Sequence, residues 1–295
     1  MRVLRKFGYG NILLAGVILL LWVTAAVIHG LPGTYAWTAL KLAVPFAGLL
    51  GLLYHLLTMA LRAAKKKPLG RKLISLLLCA VWSSHLLLTM NVVKLAYPVT
   101  TAQAGPGVTV SWPFAKAAVV GWGGDSVNDN LPHAIWASER WAYDLVMEPY
   151  GTGTNRPEDY GVWDQEVLSP SDGVVIRAYD GEADLRPGDE ESATMEGNHV
   201  YIRLEPEGTY LLLNHFKQGS LQVKTGDRIK TGDVLGRVGN SGSTSEPHLH
   251  IHHQRQNPLK TPYPVLAEGL PLYFKGTDGG AMPVKGTVVT PNTAN

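Results

Sequence analysis

The chain has 295 residues, enough for about two domains, and its two parts differ sharply in charge. Residues 1–100 contain eleven Lys or Arg and no Asp or Glu, whereas the remainder contains 15 bases and 24 acids, a net charge of −9. Because the acidic part would repel phosphates, nucleic acid is excluded as the expected partner. The single cysteine, Cys79, excludes an intramolecular disulfide.

Three apolar segments in the first hundred residues predict a membrane domain over residues 1–97. They cover about residues 10–29, 42–61 and 73–95, and about 20 helical residues span the hydrocarbon core of a bilayer. The lipid bilayer is therefore an expected partner. A secretory signal peptide is the alternative for the first segment, but two further apolar segments follow it and no convincing cleavage site is present.

Basic residues predict the orientation of these helices. Arg2, Arg5 and Lys6 precede the first segment and six basic residues lie between positions 62 and 72, whereas residues 30–40 contain none. By the positive-inside rule the N-terminus is cytoplasmic, so three spans place the C-terminal part outside the membrane. His55 and His85 lie inside predicted spans that contain no acidic partner, and we expect structural roles for both.

The remaining sequence predicts an all-β domain, sandwich or barrel-like, over residues 114–275. Short β-rich runs alternate with turn signals such as Asp180-Gly181. Residues 98–113 predict a linker or an initial strand, residues 148–166 a long loop and residues 276–295 a C-terminal tail. The clearest predicted strands are residues 117–122, 173–178, 199–204, 209–213 and 234–238.

Seven of the ten histidines lie in this acidic part, which suggests a metal site. His248, His250 and His252 alternate, and residues two apart in a strand share one face, so His253 points the opposite way. Imidazole is a common zinc ligand, and a catalytic zinc typically takes three protein ligands and a water. A short His-x-His pattern alone fits a polar strand face with solvated histidines equally well.

Residues 238–250, Val-Gly-Asn-Ser-Gly-Ser-Thr-Ser-Glu-Pro-His-Leu-His, resemble the signature of the lysostaphin-type zinc metallopeptidases, the LytM-domain peptidoglycan hydrolases. Four further motifs occur in the order of that family, at residues 171–175, 197–200, 213–216 and 223–227. The resemblance runs from about Asn130 to His252. It implies that the extracytoplasmic all-β domain is a metallopeptidase with Zn²⁺ as its cofactor.

The resemblance also implies the roles of four residues. In the family the second His of His-x-His binds zinc and the first acts in catalysis, which makes His250 a zinc ligand and His248 a catalytic residue. His215 matches the other active-site histidine, and Asp144 matches the aspartate ligand.

One ligand of the family pattern is missing. The position four residues before Asp144 usually holds a histidine and here holds Arg140, whose guanidinium has no lone pair to offer zinc. His133, eleven residues before Asp144, is the remaining upstream histidine of the domain. We predict that His133 supplies the missing ligand.

The other histidines have less specific interpretations. His199 opens an apolar strand and is expected to be structural. His252 either extends the site or contacts a ligand, and His253 faces away from it. Arg140 is expected to pair with an acid such as Glu139 or Asp144.

These features together imply a membrane-anchored zinc metalloendopeptidase that hydrolyses stem or cross-bridge peptides of peptidoglycan. His215 and His248 would then share the proton transfers and the stabilisation of the oxyanion. Two alternatives stay open. One is a catalytically inactive cell-wall-binding or regulatory module of the same fold, and the other is a transporter or sensor in which the outer domain gates the helices.

Overall fold

The computed structural model of the chain describes residues 9–189, 191–261 and 263–291. The chain divides into two compact units, Met1–Val99 and Thr100–Asn295. The first unit is helical and the second consists mainly of strands. Arg2, Arg5 and Lys6, which entered the predicted orientation, lie outside the described residues.

Three helical stretches of the first unit are long and apolar enough to cross a membrane: Gly10–Val27, Leu31–Ala64 and Lys72–Thr89. Their helices are α1 (Tyr9–Val27), α2 (Leu31–Thr38), α3 (Val44–Ala64), α4 (Gly70–Ser83) and α5 (Leu86–Thr89), and a π-helical turn, Ala39–Ala43, joins α2 to α3.

The second stretch differs from the prediction because residues 30–40 do not form a loop. Pro32 lies in the first turn of α2, where its missing N–H costs nothing and its fixed φ favours the helix. The stretch therefore has 34 residues.

The third stretch also differs, since it ends at Thr89 and not near residue 95. The hydroxyls of Ser83 and Ser84 donate to backbone carbonyls of the preceding turn, at 2.8 and 2.7 Å. Such bonds compete with the regular helical pattern. Beyond this point, His85 Nε2 accepts a hydrogen bond from Trp22 Nε1 at 3.1 Å, a packing contact between helices.

The strands of the second unit are β1 (Val108–Ser111), β2 (Ala118–Trp122), β3 (Tyr143–Val146), β4 (Glu166–Leu168), β5 (Gly173–Tyr179), β6 (Asn198–Arg203), β7 (Tyr210–Phe216), β8 (Arg228–Ile229), β9 (Val234–Arg237), β10 (Leu249–Gln254), β11 (Gly269–Leu270), β12 (Leu272–Lys275) and β13 (Val288–Val289). Within the described residues, nine of them form one sheet in the order β13-β2-β3-β10-β7-β6-β5-β8, with β11 also paired to β10. Strand β1 pairs with β12 in parallel, and β4 pairs with β9.

Both ends of this unit contribute strands, and β1 agrees with the initial strand that was one of the two predictions for residues 98–113. Part of the predicted linker forms β1, and part of the predicted tail forms β13, which pairs with β2 at the edge of the sheet. Val289 is fully buried in the core. Residues 148–165 are irregular apart from one short 3₁₀ helix, Pro157–Asp159, in agreement with the predicted loop, and Glu166 begins β4.

Side chains of the central strands point alternately to the two faces of the sheet, so the hydrophobic core lies on one face and the candidate site on the other. Leu211, Leu213 and Ile251 are fully buried among the core side chains, while Leu212, Asn214, His250 and His252 line a cleft on the other face of the sheet. The sheet is therefore the platform on which the candidate site is built.

Candidate metal centre

Four neighbouring strands place polar side chains in one row across the sheet. Asp144 of β3 lies opposite His250 of β10, which lies opposite Asn214 of β7. Trp122 of β2 lies opposite Asp144 on its other side. Because directly paired residues project from the same face, this row forms the floor of a cleft of about 390 Å³. That volume is within the range typical of small-ligand sites.

His133, Asp144 and His250 meet in this cleft. His133 Nε2 lies 3.4 Å from Asp144 Oδ2, and His250 Nδ1 lies 2.9 Å from Asp144 Oδ1. One ligand atom from each residue lies within 4.8 Å of the other two. Helix α6 (Leu131–Ala134) carries His133 to this position. The structure thus brings together the three residues predicted to bind zinc.

Asn130 determines which nitrogen of His133 faces the carboxylate. Its side chain is fully buried, and Nδ2 donates to the carbonyls of Gly124 and Ala142 at 3.1 and 3.0 Å. Oδ1 is then the acceptor for His133 Nδ1, at 2.8 Å. The proton of a neutral His133 therefore lies on Nδ1, and the lone pair of Nε2 points at Asp144.

A second chain of hydrogen bonds determines which ring nitrogen of His250 carries the proton. Gln254 Nε2 donates to the carbonyl of Gln256, so Gln254 Oε1 accepts from His252 Nε2 at 3.3 Å. His252 Nδ1 then accepts from His250 Nε2 at 2.9 Å. The lone pair of His250 Nδ1 consequently also points at Asp144.

Two nitrogen lone pairs and a carboxylate therefore converge on one point, an arrangement that calls for a cation. Burial alone would lower the pKa of His133, but the charge of Asp144 outweighs it and raises that pKa. Burial likewise opposes the charge of Asp144, yet the adjacent His133 and His248 hold its pKa well below the usual range. The donor set, two imidazoles and one carboxylate with room for a further ligand, fits zinc.

His215 and His248 form the opposite side of the centre, with ring centroids 4.7 Å apart. His215 Nδ1 donates to the carbonyl of Ser241 at 2.8 Å, and His248 Nδ1 donates to the carbonyl of Glu246 at 2.8 Å. The Nε2 atom of each ring is therefore the one available to the cleft. His248 Nε2 lies 3.5 Å from Asp144 Oδ1.

His215 is held in an unusual state by its surroundings. Burial, together with the nearby His248 and His250, holds its pKa well below the ordinary value, so the ring is neutral near pH 7. Its backbone has φ 68°, a region that costs a non-glycine residue energy and is often found at functional sites. A neutral imidazole at this position is able to accept a proton.

The predicted partner of Arg140 is wrong. Its Nη2 lies 2.8 Å from Asp125 Oδ1, and no ion pair of Arg140 with Glu139 or Asp144 occurs within the described residues. Asp125 also accepts a hydrogen bond from Trp141 Nε1 at 2.8 Å, which positions its carboxylate for this contact with the buried Arg140 side chain. Asp144 is already engaged by histidines.

Several residues of the cleft carried no prediction. Glu139 forms a second potential metal-binding group with His250 and His252. Asn130 gave no signal in the sequence, because its role depends on a three-dimensional contact. Gln254 continues the period-two alternation after His252, and this pattern pointed to the same face of the strand.

His253 and His199 lie outside the centre, as the sequence predicted. His253 is buried, and its ring nitrogens contact the carbonyl of Pro271 at 3.2 Å and Thr209 Oγ1 at 2.8 Å. The ring of His199 stacks on Tyr201 with centroids 4.3 Å apart. Burial lowers the pKa of each histidine to about 4.

These two pKa values predict a loss of stability in mild acid. Between about pH 6.5 and 4 the unfolded chain binds protons that the folded chain does not, so the free energy of unfolding falls as the pH falls. Each histidine contributes roughly 3 kcal/mol across this window. We expect a His253→Gln variant to lose thermal stability less steeply than the wild type over the same range. Equal slopes in melting experiments at several pH values would contradict the assignment.

Part of the chain is similar to known peptidases. Residues 159–262 match the model of peptidase family M23, a segment that includes His215, His248 and His250 and leaves His133 and Asp144 outside. The peptidoglycan DD-endopeptidase ShyC of Vibrio cholerae is 44% identical over 54 residues, 18% of this chain and 12% of that protein. The glycyl-glycine endopeptidase ALE-1 of Staphylococcus capitis is 31% identical over 127 residues, 40% of this chain and 32% of that protein.

The chain thus spans about an eighth and about a third of the lengths of these two curated relatives. Among solved structures, the antimicrobial peptidase lysostaphin from Staphylococcus simulans aligns with a TM-score of 0.33 at 19% identity, over 55% of this chain and 50% of that one. The resemblance of the motifs to lysostaphin-type peptidases is confirmed, since residues 159–262 match the model of peptidase family M23.

Proposed function

We propose that this chain is a membrane-anchored zinc endopeptidase that hydrolyses peptide bonds in peptidoglycan. The observation that carries the proposal is the convergence of His133 Nε2, His250 Nδ1 and the Asp144 carboxylate in a cleft. The names of the two relatives support the substrate, because both are endopeptidases and one is named for peptidoglycan.

His133, Asp144 and His250 would hold the zinc ion. When bound, zinc polarises a peptide carbonyl and lowers the pKa of a coordinated water toward neutrality. The hydrogen bonds from His133 to Asn130 and from His250 to His252 keep each ring in the tautomer that leaves a lone pair for the metal.

The remaining chemistry belongs to His215 and His248. The Nδ1–H of His215 donates to the carbonyl of Ser241, so Nε2 is the atom that faces the cleft and would accept a proton from the attacking water. The proton that His215 accepts would then pass to the leaving amine. His248 lies beside His215 with Nε2 also in the cleft, and with both ring nitrogens protonated it would donate a hydrogen bond to the developing oxyanion. Together the two rings cover the proton transfers and the stabilisation of the oxyanion in peptide hydrolysis.

The proposed location follows from the helices and the basic residues. Three helical stretches have the length and composition of membrane spans, and the basic residues of the second loop favour the cytoplasm. An odd number of spans then places the peptidase domain on the side of the membrane opposite the cytoplasm, where peptidoglycan lies. The division into a membrane domain over residues 1–97 and a peptidase domain over residues 114–275 is part of this proposal.

The test is digestion of purified peptidoglycan by the zinc-loaded full-length protein in detergent. We expect soluble fragments with new peptide amino termini and unchanged glycan ends, detected by mass spectrometry. The panel must contain both directly cross-linked and glycine-bridged polymers, because the relatives are named for DD and glycyl-glycine bonds.

A His248→Ala variant is the matched control and should release no fragments. A folded, zinc-loaded wild type that leaves the whole panel intact would overturn the proposal in favour of a non-catalytic module of the same fold.

A further inference from the structure

Asn214 lies at one end of the row of residues that forms the cleft floor, and its Oδ1 atom has no hydrogen-bond partner among the described residues. It is 6% exposed and lines the cleft. Within residues 9–189, 191–261 and 263–291, no group forms a hydrogen bond with its buried Oδ1. Most buried polar atoms of native proteins are hydrogen-bonded, so an exception in a cleft calls for an explanation.

The position of Asn214 connects this amide to the metal centre. Asn214 is the direct cross-strand neighbour of His250, and side chains paired in this way lie roughly 5 Å apart at Cβ. Leu212, the next residue of β7 on the same face, shows that an apolar side chain is accommodated on the cleft floor. The amide therefore lies beside a predicted zinc ligand on the floor of the cleft.

The chemistry of the cleft indicates which partner suits Oδ1. A carbonyl oxygen accepts hydrogen bonds, so its partner must be an N–H or O–H group. The carboxylates of Glu139 and Glu196 also line the cleft, and among its described lining residues there is no lysine or arginine. This surface favours groups that donate hydrogen bonds and disfavours free carboxylates.

We propose that Asn214 is a substrate-binding residue whose Oδ1 accepts a hydrogen bond from a backbone N–H of the substrate peptide, next to the bond that is cut. The inference rests on the proposed function, which supplies a peptide as the ligand. It adds a contact that orients the peptide relative to His250.

The test compares the full-length wild type with an Asn214→Leu variant on a cross-linked peptidoglycan peptide. Leucine has a similar size and removes the amide, so we expect KM to rise about tenfold with a smaller change in kcat. The melting temperature should stay the same or rise, because the variant no longer buries an unsatisfied oxygen. A structural role for Asn214 would instead lower it.

An Asn198→Leu variant is the matched control for stability. The amide of Asn198 is fully engaged, donating to the carbonyls of Glu182 and Phe216 at 2.8 and 3.0 Å and accepting from the Glu182 N–H at 2.8 Å. The same substitution there should lower the melting temperature clearly. If the melting temperature falls in Asn198→Leu and not in Asn214→Leu, the difference is explained by the hydrogen bonds that the Asn198 amide forms.

Peptide analogues identify the hydrogen bond itself. In each analogue one backbone N–H outside the scissile bond is replaced by an ester oxygen. We expect one of these changes to weaken the wild type about tenfold and to leave Asn214→Leu unaffected. Equal KM values for the two proteins, or equal losses with every analogue, would overturn the inference while leaving the proposed function intact.

If the wild type cuts nothing, calorimetric measurement of the binding of the same peptides tests the contact with Asn214 separately from the proposed function. The proposed function then fails, and a tenfold weaker Kd for Asn214→Leu still supports the inference. Absence of binding to the wild type overturns both.

Discussion

A His133→Ala variant of the full-length protein should bind zinc more than about 100-fold more weakly than the wild type, which should hold about one zinc ion per chain. Loss of a residue that merely hydrogen-bonds to a metal ligand already costs about 10–100-fold, and loss of a direct ligand costs more. His133 Nε2 faces the Asp144 carboxylate at 3.4 Å, so no other role explains its position as well. Elemental analysis of the dialysed proteins measures the effect.

A His253→Gln variant is the control for zinc binding, because His253 is a buried histidine of the same strand as His250 that points away from the cleft. It should retain its zinc. If Glu139, His250 and His252 hold the zinc ion instead, the His133→Ala variant should keep its zinc. Full zinc content in His133→Ala, with loss of zinc in Glu139→Gln, would assign the metal to that set.

His215→Ala and His248→Ala should keep their zinc and lose activity by about 10²–10⁴-fold, the usual contribution of a group that transfers a proton or stabilises the oxyanion in the transition state. The two rings lie 4.7 Å apart beside the centre, and each has its Nδ1 bound to a backbone carbonyl. Zinc content and the release of peptidoglycan fragments are measured on the same preparations, so that ligand loss and catalytic loss are separated.

The control for these two variants is His199→Gln, which changes a buried histidine outside the cleft. It should retain most of its activity, because its ring contacts Arg177 and Tyr201 and not the metal centre. Loss of zinc in His215→Ala would contradict the proposed division of roles, since His215 would then be a ligand. Retained activity in both variants would remove them from the mechanism.

Sequence patterns were sufficient to predict those structural features that depend on residues close together in the chain. The alternation of His248, His250 and His252 predicted a shared face, and β10 places His250 and His252 on the cleft side. The helical stretch from Leu31 begins before the predicted span of residues 42–61, because Pro32 fits the first turn of a helix.

The contacts of the centre depended on residues far apart in the chain. His250 and Asp144 are separated by 106 positions, and antiparallel pairing of β10 with β3 brings them within 2.9 Å. No spacing rule predicts such a register from one sequence. Arg140 was paired with the wrong acid for the same reason, because Asp125 reaches it through a loop between strands.

The sequence by itself determined the elements whose physical cause is local: the apolar helical stretches, the alternating strands, and the histidines and aspartate with lone pairs suited to a metal. Tertiary structure alone decided the proton positions of His133 and His250, since these depend on the buried amides of Asn130 and Gln254. The fold likewise leaves the Oδ1 atom of Asn214 without a hydrogen-bond partner among the described residues. Hydrogen bonding is directional and short-ranged, so the partner of each polar atom exists only once the chain has folded.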